Sequence, residues 1–211
     1  MDKSLKLGYH PIHKHYGYYI DKVPQNVLDE VKIQIDELQF DFSKGIKMNE
    51  DLAGEIEQEY KISPQSQTKK YIQDLCQQFE NESQYVNNNI DLLPTLKFSE
   101  FWVNFQKKYE YNPIHNHGGV FSFVIFYQIP FIFKNEYKYH YSPKHCFHGQ
   151  FNFITPSPSN QKESVNILPL NIDKSKEGYI AIFPSSLNHI VYPFYSSDEY
   201  RITIAGNIKI K

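Results

Sequence analysis

His115 and His117 stand two apart in Tyr111-Asn-Pro-Ile-His115-Asn-His117-Gly-Gly119, and side chains two apart on a β-strand leave the same face. Such a pair offers two imidazoles to one metal ion. A mononuclear site needs at least one ligand more. His189, in Gly178-Tyr-Ile-Ala-Ile-Phe-Pro-Ser-Ser-Leu-Asn-His189-Ile-Val-Tyr-Pro193, lies on a second β-type run able to return a distant imidazole to the same point. Arg201 follows in Tyr200-Arg-Ile-Thr-Ile204, whose alternation sets Arg201 and Thr203 on one face. A guanidinium there suits a carboxylate, because its planar fork donates two parallel hydrogen bonds. Asn104 in an aromatic run and Tyr127 in an apolar one are polar groups headed for burial. Each needs a partner, which protein backbone or the oxygen of a bound co-substrate can supply.

The remaining histidines carry less. His13 and His15 form another His-x-His pair, but in a Lys- and Tyr-rich segment that reads as a solvated edge. His140, His145, Cys146 and His148 crowd one stretch, and their spacing matches no closed tetrahedral zinc framework. If a carboxylate completes the site, Glu110 and Glu199 are the candidates, though neither is in register with the pair.

The elements that must position these groups change character near residue 95. Before it, one amphipathic helix opens at Pro24 and runs through Val27, Leu28, Val31, Ile35 and Leu38. A second opens at Ser63-Pro64, with Ser as the cap, and runs through Tyr71, Ile72, Leu75, Cys76 and Phe79. Tyr16–Ile20 reads as an edge strand, and Met48–Gly54 as a polar loop. After residue 95, β-type runs fall at 98–106, 112–117, 119–129, 150–155, 164–169, 178–183, 188–193 and 201–209. Strands in succession with no helix between them imply an antiparallel sandwich or barrel. Gly118-Gly119 permits a bend after the pair, and Val120–Ile129 is apolar enough for a strand covered on both faces. The expected organisation is a single domain over 1–211, with a strand and packing helices in 1–95 and a β core in 96–211. Residues 41–62 and 131–149 are long polar insertions of the kind that cover a substrate.

Composition closes off other classes. The chain has 211 residues, 40% hydrophobic and 16% aromatic, enough for one core, and its net charge of −2 gives no long-range field for nucleic acid or an anionic membrane. Two cysteines, Cys76 and Cys146, make no disulfide framework. With no apolar leader at Met1-Asp-Lys-Ser-Leu-Lys6 and no run long enough to span a bilayer, the expectation is a soluble, cytoplasmic protein. No Gly-rich phosphate loop or nucleophile triad is present.

Trp102-Val-Asn104-Phe, Tyr111-Asn-Pro-Ile-His-Asn-His117, Ser122-Phe-Val-Ile, Phe183-Pro-Ser185, His189 and Arg201-Ile-Thr203-Ile-Ala-Gly-Asn207 together resemble, in that order, the Fe(II)- and 2-oxoglutarate-dependent oxygenases, in particular their phage and bacterial prolyl-hydroxylase-like branch. Asn49–Gly54 and Thr68–Ile72 extend the likeness weakly toward the N-terminus. The resemblance implies a mainly β fold, a double-stranded β-helix or jelly roll with flanking helices. It implies iron binding by His115 and His189, and 2-oxoglutarate held by Arg201 with Thr203. It also implies a protein or peptide substrate hydroxylated at a prolyl residue, ascorbate as a supporting reductant and, for a phage-encoded or otherwise viral protein, work in the host cytoplasm. The chain departs from the family pattern at position 117, where Asp or Glu is usual and His117 stands as third ligand. Neutral imidazole in place of a carboxylate leaves the metal one unit more positive, which favours an anionic co-substrate. Three-His sets serve zinc in some enzymes and iron in others. Two other classes fit the same strands: a three-His cupin-like dioxygenase that does not use 2-oxoglutarate, and a jelly-roll binding protein without catalysis.

Overall fold

The alternation of Arg201-Ile-Thr-Ile-Ala shows how the chain folds: Ile202 and Ile204 face one apolar layer while Arg201, Thr203 and Ala205 face another space. The computed structural model describes residues 5–13, 16–86, 93–139, 147–156 and 165–211. Its strands are β1 (Gly8–His13), β2 (Tyr16–Lys22), β3 (Gln58–Lys61), β4 (Leu96–Gln106), β5 (Asn112–His115), β6 (Phe121–Gln128), β7 (Phe151–Pro156), β8 (Val165–Pro169), β9 (Tyr179–Pro184), β10 (His189–Val191) and β11 (Arg201–Ile210). The helices are α1 (Gln25–Phe40), α2 (Ser66–Ser83) and the short α3 (Phe133–Glu136). One sheet has the order β1-β2-β9-β6-β11-β4-β3 and the other β5-β10-β7-β8, with every pairing antiparallel. From β4 to β11 the chain winds back and forth between the two sheets, which is a double-stranded β-helix.

Two apolar layers follow from period-two patterning. Val27, Val31 and Ile35 of α1 and Ile72, Leu75 and Phe79 of α2 pack with Phe105, Ile125, Ile182, Ile202 and Ile204 on the outer face of the large sheet. Between the sheets lie Ile20, Phe126, Phe151, Phe153, Phe183 and Leu187. β6 is buried on both faces over Phe121–Phe126, as its mostly apolar run requires.

Several boundaries differ from the sequence reading. Tyr16–Ile20 is not at the edge, because β1 pairs outside β2. Pro11 disguises β1, yet proline is tolerated on an edge strand, where no further neighbour needs its missing N–H. Ser63-Pro64 does not open α2. Gln34 claims Ser63 from both sides, its Oε1 accepting from the Ser63 N–H at 2.8 Å and its Nε2 donating to the Ser63 carbonyl at 2.9 Å. The helix starts at Ser66 and its N-terminus is capped from α1: Glu30 accepts from the Thr68 N–H at 2.7 Å and also from the Thr68 hydroxyl. Glu30→Ala is therefore expected to destabilise the fold by about 1–3 kcal/mol in urea denaturation, since it orphans buried donors; an unchanged midpoint would show the cap to be dispensable.

The 41–62 insertion is only partly a loop, as β3 adds to the large sheet beside β4. The 131–149 insertion is not polar and exposed throughout its described part. Phe131 and Glu136 are buried, and Glu136 accepts from the Tyr195 and Ser196 N–H groups at 2.8 and 2.9 Å. Among the described residues no helix is long and apolar enough to cross a membrane.

Candidate metal and co-substrate site

β5 and β10 are adjacent in the small sheet, and their register sets His115 directly opposite His189. Cross-strand partners share a face, so the ring centroids of these residues, 74 positions apart in sequence, lie 4.2 Å from each other. β5 ends at His115, so strand alternation alone does not place His117. Its N–H donates to the Ser185 carbonyl at 2.8 Å, tying the turn to the end of β9, and its ring packs 5.8 Å from that of Trp102. Gly119 makes the following bend at φ +114, where a Cβ would meet the Ile208 carbonyl oxygen at 2.7 Å. The ligand nitrogens of His115, His117 and His189 lie within 4.8 Å of one another, the one such group among the described residues.

Protonation suits a metal. His115 Nδ1 lies 2.7 Å from the Pro113 carbonyl and His189 Nδ1 lies 3.0 Å from that of Leu187. A carbonyl only accepts, so each Nδ1 carries the hydrogen and each Nε2 keeps its lone pair for an ion. Burial pushes all three rings below the ordinary histidine range, helped at His117 and His189 by His115, and His117 falls to about 4. All three are neutral at pH 7, the form that binds metal.

The same cavity holds Arg201, Thr203, Asn104 and Trp102, with Phe151, Phe183, Leu52 and Ile56 as apolar wall. Arg201 is 1% exposed. Its Nη1 donates to the Gly149 carbonyl at 3.0 Å, while Nε and Nη2 have no partner among the described residues. Burial lowers its pKa only to about 10, so it stays a cation, and among the described residues it makes no ion pair. A desolvated, unpaired guanidinium is costly unless an anion comes to it. Phe131 and Gly149 wall this end: the Arg201 guanidinium lies 6.0 Å from the Phe131 ring, and a Cβ on Gly149, at φ +70, would meet that ring at 2.6 Å. Asn104 Nδ2 donates to the Thr203 hydroxyl oxygen at 3.2 Å, leaving the Thr203 hydrogen free to donate elsewhere.

Tyr127 falls elsewhere. It lines a separate groove with Asp29, Lys32 and Glu199, because its position in β6 turns it toward the helices. Neither carboxylate candidate reaches the histidines: Glu199 is in that groove, and Glu110 accepts from the Glu57 and Lys107 N–H groups at 3.2 and 2.7 Å. His148 packs 4.3 Å from the Tyr195 ring, whereas His15, His140, His145 and Cys146 and the side chain of His13 lie outside the described residues.

Sequence reasoning missed Glu59, Gln106 and Asn112, which also line the cavity. Glu59 is on β3, where Gln58-Glu-Tyr-Lys61 carries almost no hydrophobic signal. Burial pushes its carboxyl up to about 7, with Glu110 as a second cause. Between the ordinary value of 4.5 and about 7 the folded protein holds this proton more tightly than the unfolded chain. Stability from this group is thus intact below about 4.5 and lost as pH rises through 7. Glu59→Gln cannot ionise, and in metal-free protein it is expected to gain on the order of 2 kcal/mol over wild type between pH 5 and pH 8. Histidine titration is common to both proteins and cancels. Parallel denaturation curves at the two pH values check this, and an equal difference at both would refute it.

A family profile described as "Putative 2OG-Fe(II) oxygenase" matches residues 100–207. The chain belongs to the 2-oxoglutarate- and Fe(II)-dependent oxygenases. No curated protein matches the sequence. Among solved structures, a prolyl-4-hydroxylase from Pseudomonas putida is similar in fold, with TM-score 0.51 and 13% identity over 93% of this chain and 94% of that one. The viral collagen prolyl hydroxylase of Paramecium bursaria Chlorella virus-1, solved with 2-oxoglutarate, has TM-score 0.51 and 14% identity over 92% of this chain and 96% of that one.

Proposed function

We propose that this chain is an Fe(II)- and 2-oxoglutarate-dependent dioxygenase that hydroxylates a prolyl residue in a protein or peptide. The observation that carries the reading is a buried Arg201, without an ion pair among the described residues, in the cavity that also holds three neutral, convergent histidines. His115 and His189 would hold the iron through Nε2, with the His117 imidazole as the third ligand. Arg201 is the group to receive the distal carboxylate of 2-oxoglutarate with Nε and Nη2, and the free hydrogen of Thr203 adds a donor. Asn104 orients that hydroxyl. Held by the histidines, iron(II) would supply the coupling of 2-oxoglutarate and dioxygen to succinate, carbon dioxide and one oxygen atom inserted into a substrate C–H bond. Trp102, Phe151 and Phe183 keep water from the space between ligands and Arg201. Leu52, Ala53 and Ile56 line the same cavity from the 41–62 segment, in keeping with a cover over the substrate.

Buried Arg201 weighs against a cupin-like dioxygenase that has no anionic co-substrate, and convergence of the histidines weighs against a purely binding jelly roll. The prolyl part rests on the two prolyl hydroxylases of similar fold. Protein incubated with iron(II), ascorbate, 2-oxoglutarate and a proteome-derived peptide mixture is expected to form succinate and to add one oxygen mass at prolyl residues. Oxygen inserted only at other residues would discard the substrate; no turnover of the keto acid would discard the oxygenase.

A further inference from the structure

Beyond the anion site at Arg201, the cavity has a second polar region of opposite character. Register sets Thr203 opposite Asn104 and Asn104 opposite Glu59, so the three form one row across β11, β4 and β3. Glu59 is 1%, Asn104 8% and Asn112, which comes from β5 in the other sheet, 9% exposed, and all three line the cavity. Each has one anchored and one orphaned end. Glu59 Oε2 accepts weakly from Asn49 Nδ2 at 3.4 Å, Asn104 Nδ2 donates to Thr203, and Asn112 Nδ2 donates to the Ala53 carbonyl at 3.0 Å. Among the described residues the atoms left without partners are Glu59 Oε1, Asn104 Oδ1 and Asn112 Oδ1, and with Glu59 ionised every one is an acceptor. Buried acceptors in a shared cavity call for a donor from outside the chain.

We infer that Glu59, Asn104 and Asn112 form a recognition subsite for a primary ammonium group of the substrate, from a lysyl side chain or a free amino terminus. An ammonium carries three N–H donors and no acceptor, matching three orphaned acceptors one to one. Its positive charge balances Glu59 when that carboxyl is ionised, and Leu52, Ala53 and Ile56 offer apolar surface for the methylene stem of a lysine. Arg201 does not compete, because its two unpartnered nitrogens are donors. The inference rests on the proposed oxygenase only in taking the ligand to be a peptide substrate; ammonium binding itself can be scored without turnover.

Three small probes test it by ligand-observed NMR titration of the full chain, with and without 2-oxoglutarate. They are Nα-acetyl-lysine methylamide, its norleucine counterpart, and norleucine methylamide with a free amine. An ammonium probe is expected to bind at least about tenfold more tightly than the uncharged one, the usual worth of charged hydrogen bonds. Acetyl-lysine as the tighter binder assigns the subsite to a side chain, and the free amine as the tighter binder assigns it to a chain terminus. In Glu59→Gln the preference is expected to fall to near one while affinity for 2-oxoglutarate stays unchanged. Equal binding of charged and uncharged probes, including no measurable binding of any, overturns the inference, as does a preference that survives Glu59→Gln. Failure to bind 2-oxoglutarate would instead count against the oxygenase reading.

Discussion

His189→Ala is expected to purify folded and without bound iron(II), losing far more than the roughly 10–100-fold in affinity that removal of a supporting outer partner costs a metal site. His189 is buried opposite His115 across β5 and β10, with Nδ1 committed to the Leu187 carbonyl, so Nε2 is the atom free to bind an ion. Its ring lies 5.3 Å from Phe151 and 5.1 Å from Phe183, and those rings keep the layer between the sheets filled after truncation. Metal analysis beside circular dichroism separates loss of the ion from loss of the fold. His115→Ala and His117→Ala are expected to behave alike, and full iron retention in His117→Ala would transfer the third place to another group. His117→Asp restores the two-His-one-carboxylate set usual for non-haem iron and is expected to keep the metal.

Arg201→Ala is expected to weaken 2-oxoglutarate binding by on the order of 2–5 kcal/mol, roughly thirtyfold to several thousandfold, much of it from leaving the carboxylate desolvated and unpaired. A calorimetric titration measures it, and wild-type affinity in the variant would end the assignment. The same residue carries an opposite signature in stability. Without ligand, Arg201 is a buried cation that keeps, among the described residues, one hydrogen bond and two idle donor nitrogens, so Arg201→Met is expected to be at least as stable as wild type. Saturating 2-oxoglutarate should raise the melting temperature of wild type and not of the variant.

How much of this was legible beforehand depends on which residues carried a period. Arg201-Ile-Thr-Ile announced a strand with one apolar and one polar face, and β11 presents those faces to the helices and the cavity. His115 and His189 could be paired from their spacing and runs, and register sets them opposite. His117 reaches the site for a different reason than strand alternation, a backbone hydrogen bond to Ser185 that no local pattern encodes. Glu59 was invisible because a buried polar residue on a short, polar strand looks like a loop residue until its neighbours are known, and Asn112, though inside a β-type run, gave no sign that its side chain would turn into the cavity. The start of α2 was misplaced because its cap comes from Glu30, 38 residues earlier. Whether Tyr127 meets a co-substrate or the protein could not be read, because a strand buried on both faces gives no sign of which face a polar side chain takes, and it lies outside the cavity.

In the proposed enzyme three histidines and Arg201 hold a metal and a keto acid in a single cavity. An anaerobic titration of iron(II)-loaded protein with 2-oxoglutarate tests it, because a keto acid chelated to iron(II) develops a visible charge-transfer band. The predicted result is a band that saturates at one equivalent, is absent in His189→Ala and needs far more 2-oxoglutarate in Arg201→Ala. A wild-type protein that shows no band at saturating 2-oxoglutarate, or a titration that Arg201→Ala leaves unchanged, would contradict it.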